Sequence, residues 1–174
     1  MKTILNKVVA AFIAMSVCIT IASCEKENGG EAVDSNALKD IEVNYSITLS
    51  EDYQYFYDIS VKYGYDEAEL TSEIDGGWTY HETYSTDYVD PLPTRFFCTI
   101  EATPKSPVPA IDESKLYTFE YSCVCNIEGR TKDGGTIMKK MTPTNGKISC
   151  KGSKVQDALK KGTVKFISFE YERE

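Results

Sequence analysis

Cys98, Cys123, Cys125 and Cys150 are the thiols in the body of this chain, and thiols can pair, ligate a metal or lie buried as apolar groups. Cys123 and Cys125 stand two apart in a run that alternates like a strand, so both point to one face and do not readily join each other. That leaves Cys98 and Cys150 as partners for a disulfide. Zinc ligation wants a CxxC pair or a loop to present the sulfurs, and the chain offers neither. Because Cys98, Cys123 and Cys125 fall in phase with apolar neighbours, the favoured reading is four buried thiols packing as small side chains.

His81 is the only histidine. A triad or a histidine-based metal site needs partners at defined distances, and Glu82 and Thr83 are merely its neighbours along a strand, so His81 reads as solvated. The acids Asp66, Glu67, Glu69, Glu73 and Asp75 suggest calcium, but their spacing misses the alternating oxygens of an EF-hand loop. An acidic edge that discourages sheet aggregation explains them better. Nothing selects a pair of carboxylates for glycoside hydrolysis. The sequence therefore points to no enzyme, no cofactor and no metal.

Tyrosine is abundant, at 12 residues. Tyr45, Tyr53, Tyr55, Tyr57, Tyr63, Tyr117 and Tyr121 are in phase with an expected core. Phe56, Tyr65, Tyr84, Tyr88 and Phe97 fall out of phase or in loops, and exposed rings drawn from these five are the candidate ligand contacts, stacking on a glycan or anchoring a protein.

The elements that must position these groups follow from period-two alternation. It runs through Ile41 to Leu49 and through Tyr53 to Tyr63. A short edge follows over Asp66 to Ile74, then a strand in which Trp78, Tyr80 and Tyr84 share one face and His81 the other. Further strands run from Phe96 to Ala102 and from Tyr117 to Glu128, the latter turning at Asp133-Gly134-Gly135 into Thr136 to Met141. Asn145-Gly146 predicts a second turn. Pro104, Pro107 and Pro109 demand an extended connection. Ser153 as a cap with Gln156, the stripe Val155, Ala158 and Leu159, and Gly162 predict one short helix before the last strand. In that strand the alternation slips between Phe166 and Ile167, as a bulge would require. Seven or eight strands without a βαβ rhythm predict an all-β fold, an antiparallel immunoglobulin-like β-sandwich over residues 37–174.

Charge and the N-terminus set the address. Lys2 and Lys7 precede an apolar run from Val8 to Ile21, too short for a permanent span, and Ile21-Ala22-Ser23-Cys24 closes it. That tetrapeptide resembles the lipobox of bacterial lipoproteins, which implies a signal peptide over 1–23 and acylation of Cys24. Glu25-Lys26-Glu27-Asn28 is similar to the export signal of surface-exposed lipoproteins in the Bacteroidota, and residues 24–36, polar and Gly-rich, read as a lipidated flexible tether. Losing residues 1–23 removes two lysines and no acids, which takes the net charge from −8 to −10 and leaves 151 residues for one domain. So acidic a surface repels nucleic acid.

The run Tyr57-Asp58-Ile59-Ser60-Val61-Lys62-Tyr63, Gly77-Trp78-Thr79, the Phe96 to Ala102 strand and the Lys151 to Gly162 helix resemble the small Bacteroides-type outer-membrane lipoproteins with an immunoglobulin-like β-sandwich domain. The resemblance implies a sandwich tethered to the outer membrane, facing the cell surface, and brings no active site with it. The function expected is a lipid-anchored, non-catalytic binding or interaction module for a protein or glycan. Its alternative is a structural or assembly component of an envelope complex, such as a fimbria-like accessory.

Overall fold

Alternation becomes strand after strand in the computed structural model, which describes residues 37–173. Cys24, the signal peptide over 1–23 and the tether over 24–36 lie outside the described residues. The order is β1 (Leu38–Leu49), α1 (Glu51–Phe56), β2 (Tyr57–Tyr65), β3 (Ala68–Ile74), β4 (Trp78–Ser85), β5 (Arg95–Pro104), β6 (Leu116–Thr131), β7 (Thr136–Lys151), α2 (Gly152–Leu159) and β8 (Val164–Glu172). Two four-stranded sheets result, β4-β1-β6-β7 and β3-β2-β5-β8, and every pairing is antiparallel. The fold is all-β. Among the described residues no helix is long and apolar enough to cross a membrane.

The core is the sum of the inward positions. Ile41, Val43, Tyr45 and Ile47 of β1 and Cys123, Cys125 and Ile127 of β6 face Ile59 and Val61 of β2, Phe96, Cys98 and Ile100 of β5, and Phe169 of β8. In β8 the expected slip is real. Ile100 pairs with Ile167 but Glu101 with Lys165, so Phe166 is the extra residue and both Phe166 and Ile167 are buried.

Three local expectations are corrected. Residues 51–56 are helix, not the start of the second strand. Acids Glu51 and Asp52 open the turn, and a helix carries Tyr53 and Phe56, three apart, into the core together. Its N-cap Ser50 makes no side-chain cap bond because it is occupied elsewhere: where β1 ends, Ser50 Oγ donates to the Thr118 carbonyl (2.8 Å) and accepts from the Glu120 N–H (3.0 Å). Asp52 Oδ2 accepts from the Thr118 N–H (2.5 Å), so two side chains continue the ladder on β6.

Asn145-Gly146 makes no turn, because β7 runs unbroken past it. Gly146 pairs with Tyr121, whose ring comes within 2.5 Å of the place a Cβ would fill; the glycine is there for the ring. Finally, α2 begins at Gly152 with Lys151 as N-cap, and Ser153 supplies no cap bond. At Gly152 a Cβ would stand 1.9 Å from the Asp112 carbonyl oxygen, so close approach of the preceding loop decides where the helix starts. At its other end Gly162 takes φ +81° and donates its N–H to the Leu159 carbonyl (3.0 Å), as expected.

Candidate functional site

The five candidate rings separate once they are placed. Phe56 is fully buried, packed on Tyr117 at 5.1 Å, because it belongs to a helix and not to a strand. Tyr84 is buried against Tyr65 (4.8 Å) and Phe96 (5.5 Å), with its hydroxyl 3.1 Å from that of Tyr80. Neither ring offers an open face at the surface. Tyr65 is half-buried beneath Tyr84, and half-buried Phe97 lies on Gly64 with the Arg95 guanidinium 5.1 Å above its ring. Only Tyr88 stands free, 88% exposed, in the turn after β4. Tyr55 is also exposed, through the helical geometry of α1, although its spacing had matched the core.

A groove of about 550 Å³ runs where α1 meets β2 and β3, and Asp58, Glu73, Asp75 and Lys105 line it. Lys105 Nζ donates to the Gln54 carbonyl (2.7 Å), which ties it to α1. The three carboxylates are exposed. A general acid for glycoside hydrolysis needs a carboxyl taken out of water, and an open polar groove does not supply that. Among the described residues no cluster of three or more His, Cys, Asp or Glu is placed to hold a metal ion. Asp66 is already engaged: its Oδ1 accepts from the Thr94 N–H (2.9 Å), the Thr94 hydroxyl (3.1 Å) and the Arg95 N–H (3.0 Å). Glu69 pairs with Lys62 at 2.8 Å. These acids lie on or beside β3, an edge strand.

His81 is exposed on the outer face of the first sheet, its Nδ1 2.5 Å from Asn44 Oδ1 on β1. Asn44 donates to Glu42 (3.0 Å), Arg130 binds Glu42 (2.7 Å) and Glu128 (3.3 Å), and Lys139 reaches Glu128 (3.3 Å). This polar row crosses all four strands and alternates in sign. It holds no nucleophile, and its chemistry is that of a cross-strand lattice.

No protein-family model matches the chain, and no curated protein or solved structure matches it.

The remaining surface of note is β7. Its sixteen residues pair only with β6, so its outer backbone faces solvent at the sheet's edge. Ile137, Met141 and Ile148 are each more than half exposed along it. From Gly134 to Gln156 the chain carries Lys139, Lys140, Lys147, Lys151 and Lys154 and no acid, a basic strip on an acidic protein. Lys140 bends over the open end of the core, its Nζ 5.3 Å from the Phe169 ring and 2.6 Å from the Glu170 carbonyl. Sequence reasoning missed this edge because it split β7 at Asn145-Gly146; the acid-free run of lysines was the signal that could have marked it.

The thiols are unpaired, with Cys98, Cys123 and Cys125 buried. Cys98 lies in the middle of β5 and is buried in the same core as Cys123 and Cys125 of β6. Cys150 is near the end of β7, opposite Tyr117, and half-buried. Cys98 and Cys150 are therefore not partners. All four are free thiols here.

Proposed function

We propose that the chain is a lipid-anchored module of the bacterial envelope that holds a protein partner along a sheet edge, without catalysis. The observation that carries this reading is β7: long, at the end of its sheet, basic, and set with exposed Ile137, Met141 and Ile148. An extended acidic segment can add to such an edge through main-chain hydrogen bonds, with its side chains beside both lysines and apolar groups. A glycan ligand has less support, since Tyr88 is the only one of the five candidate rings that is freely exposed. The address rests on the Lys2 to Cys24 segment: signal peptide, acylated Cys24, outer membrane and cell surface.

The immunoglobulin-like description is part of this proposal at the level of architecture, two packed antiparallel sheets. In the immunoglobulin arrangement the first two strands share a sheet, whereas β1 and β2 here lie in different ones.

A photocrosslinking residue at Met141 or Ile148 of the full-length protein, in producing cells, tests the reading against Ser60 on the other sheet's outer face. The expected result is crosslinks from β7 to one defined protein, lost when Ile137, Met141 and Ile148 are all changed to Lys. No β7-specific crosslink, together with Tyr88-dependent retention on glycan arrays, would overturn it. The acidic β3 edge favours a second reading, an assembly component in which β7 of one copy meets β3 of the next. In that case the crosslinked partner is the same chain, joined near Glu69 or Glu73, and the product fades at high salt.

A further inference from the structure

The Gly152 N–H donates to the Lys115 carbonyl (2.9 Å), in phase with the pairing of Leu116 and Lys151. The even residues of β7 therefore turn their main-chain groups to β6, and the odd ones turn theirs out to solvent. Pro143 fits this rule: its nitrogen, with no hydrogen to give, faces outward and divides the edge. Beyond it Asn145, Lys147, Ser149 and Lys151 offer an unbroken row. In the other sheet the Asp66 N–H donates to the Arg95 carbonyl (2.9 Å), which commits the even residues of β2 to β5 and the odd ones to β3. Tyr63 then bonds with Leu70, and Glu69, Thr71 and Glu73 of β3 face outward at that sheet's edge. β3 is seven residues long, which matches the stretch of β7 from Asn145 to Lys151.

We propose that the partner held by β7 is a second copy of this chain, its β3 laid antiparallel on Asn145 to Lys151 with Glu73 opposite Lys147 and Glu69 opposite Lys151. The inference rests on the reading of β7 as the docking edge and names what docks there. Lys147 and Lys151 stand four apart, as do Glu69 and Glu73, so a single antiparallel register satisfies both pairs. That register also sets odd residues against odd, and Lys147–Glu73, Ser149–Thr71 and Lys151–Glu69 can each exchange both main-chain hydrogen bonds. Within one copy Lys147 lies 2.6 Å from Glu120 of β6 and Glu69 lies 2.8 Å from Lys62 of β2. The seam thus continues an alternation of sign already present on either side. On the inner face the same register places Leu70 opposite Cys150 and Ser72 opposite Ile148, and covers Leu70 and Ile148, which are 47% and 62% exposed in a single copy. The contact uses a different edge of each copy, so it repeats head to tail and builds a row of copies.

Leu70→Cys in the full-length protein reads the register. Opposed residues that exchange no main-chain bonds stand about 4.5 Å apart at Cα, within disulfide reach, so the introduced thiol should join the free thiol of Cys150 in a neighbouring copy. Protein purified from producing cells is oxidised with copper phenanthroline and separated without reductant. The expected result is a ladder rising by one chain at each rung, absent from the parent and from Leu70→Cys combined with Cys150→Ala. Charge reversal tests the edges independently. Lys147→Glu with Lys151→Glu, or Glu69→Lys with Glu73→Lys, should each abolish the ladder in the Leu70→Cys background, and mixing the two proteins should restore it, which also shows that both are folded. A ladder that stops at two copies, a bond to any other cysteine, or a mixture that stays monomeric would overturn the proposal. No ladder, with Met141 and Ile148 crosslinked to a different protein, overturns self-pairing and leaves the β7 edge standing. No ladder and no β7 crosslink sinks both.

Discussion

The Phe97 ring of β5 lies on Gly64 of β2, its Cζ 3.0 Å from the point where a Cβ at that glycine would stand. The ring fills the space a side chain would otherwise take, with Arg95 above it, and so a candidate ligand contact becomes part of the sheet. A Cβ at Gly64 would also stand 1.9 Å from the Ala68 carbonyl oxygen across the β2–β3 hairpin, which is backbone and cannot step aside. Gly64→Ala should destabilise the domain by about 2–3 kcal/mol, read as a lower midpoint in urea unfolding. A midpoint within error of the parent would show that the hairpin relaxes freely.

Tyr45 carries a buried hydroxyl without a hydrogen-bond partner among the described residues, and burial, then Cys98 and Cys125, push its pKa strongly upward. Removing that oxygen relieves an unmet desolvation cost while the ring contacts with Tyr80 and Phe169 remain. Tyr45→Phe should therefore stabilise the domain, by about 1 kcal/mol. Destabilisation by that amount would mean the hydroxyl has a partner.

Asp66 takes φ +45° in the turn between β2 and β3, and it staples that turn to the start of β5 through Thr94 and Arg95. Asp66→Ala loses the acceptor and leaves a Cβ in left-handed backbone without compensation, costing about 2–3 kcal/mol. Asp66→Asn keeps an acceptor oxygen and tolerates that conformation, so its cost should be less than half as large in thermal melts. Equal losses for the two would assign the effect to charge.

Acid should find the carboxylates that the fold holds ionised. Glu128 is lowered from its ordinary 4.5, mainly by the hydrogen bond from Lys139 and then by Arg130; Asp133 is lowered from 3.8 by the Thr131 hydroxyl, and Asp112 by Ser114. In Asp66 partial burial opposes the lowering, but bonds from Arg95 and Thr94 prevail. A depressed folded pKa contributes stability above the unfolded value and loses it as pH falls through the folded one. The melting temperature should thus hold steady from pH 7 to about 5 and decline below about 4.5. Glu128→Gln should soften the first part of that decline. A profile identical to the parent's would remove Glu128 from the linkage.

Much of this fold was legible because period two survives in stretches such as Phe96 to Ala102 within the ten-residue β5, and even the slip at Phe166 announced its bulge. What escaped was non-local. Tyr53 and Tyr55 alternate like strand residues, yet the ladder on β6 ends with Ser50 and Asp52 and frees the next turn to coil. Asn145-Gly146 has a turn's composition, but the deciding partner was Tyr121, a ring more than twenty residues earlier.

Neither sheet is continuous along the chain. β5 has only β2 beside it until β8, beginning at Val164, arrives, and β1 waits for β6 to cover its second side. A nascent chain delivered N-terminus first therefore holds β1 with an open flank until β6 emerges and β5 until β8 does, and pairings this distant in sequence close slowly. Until then the fold is unfinished, and truncation before β8 should give an aggregation-prone chain instead of a smaller domain.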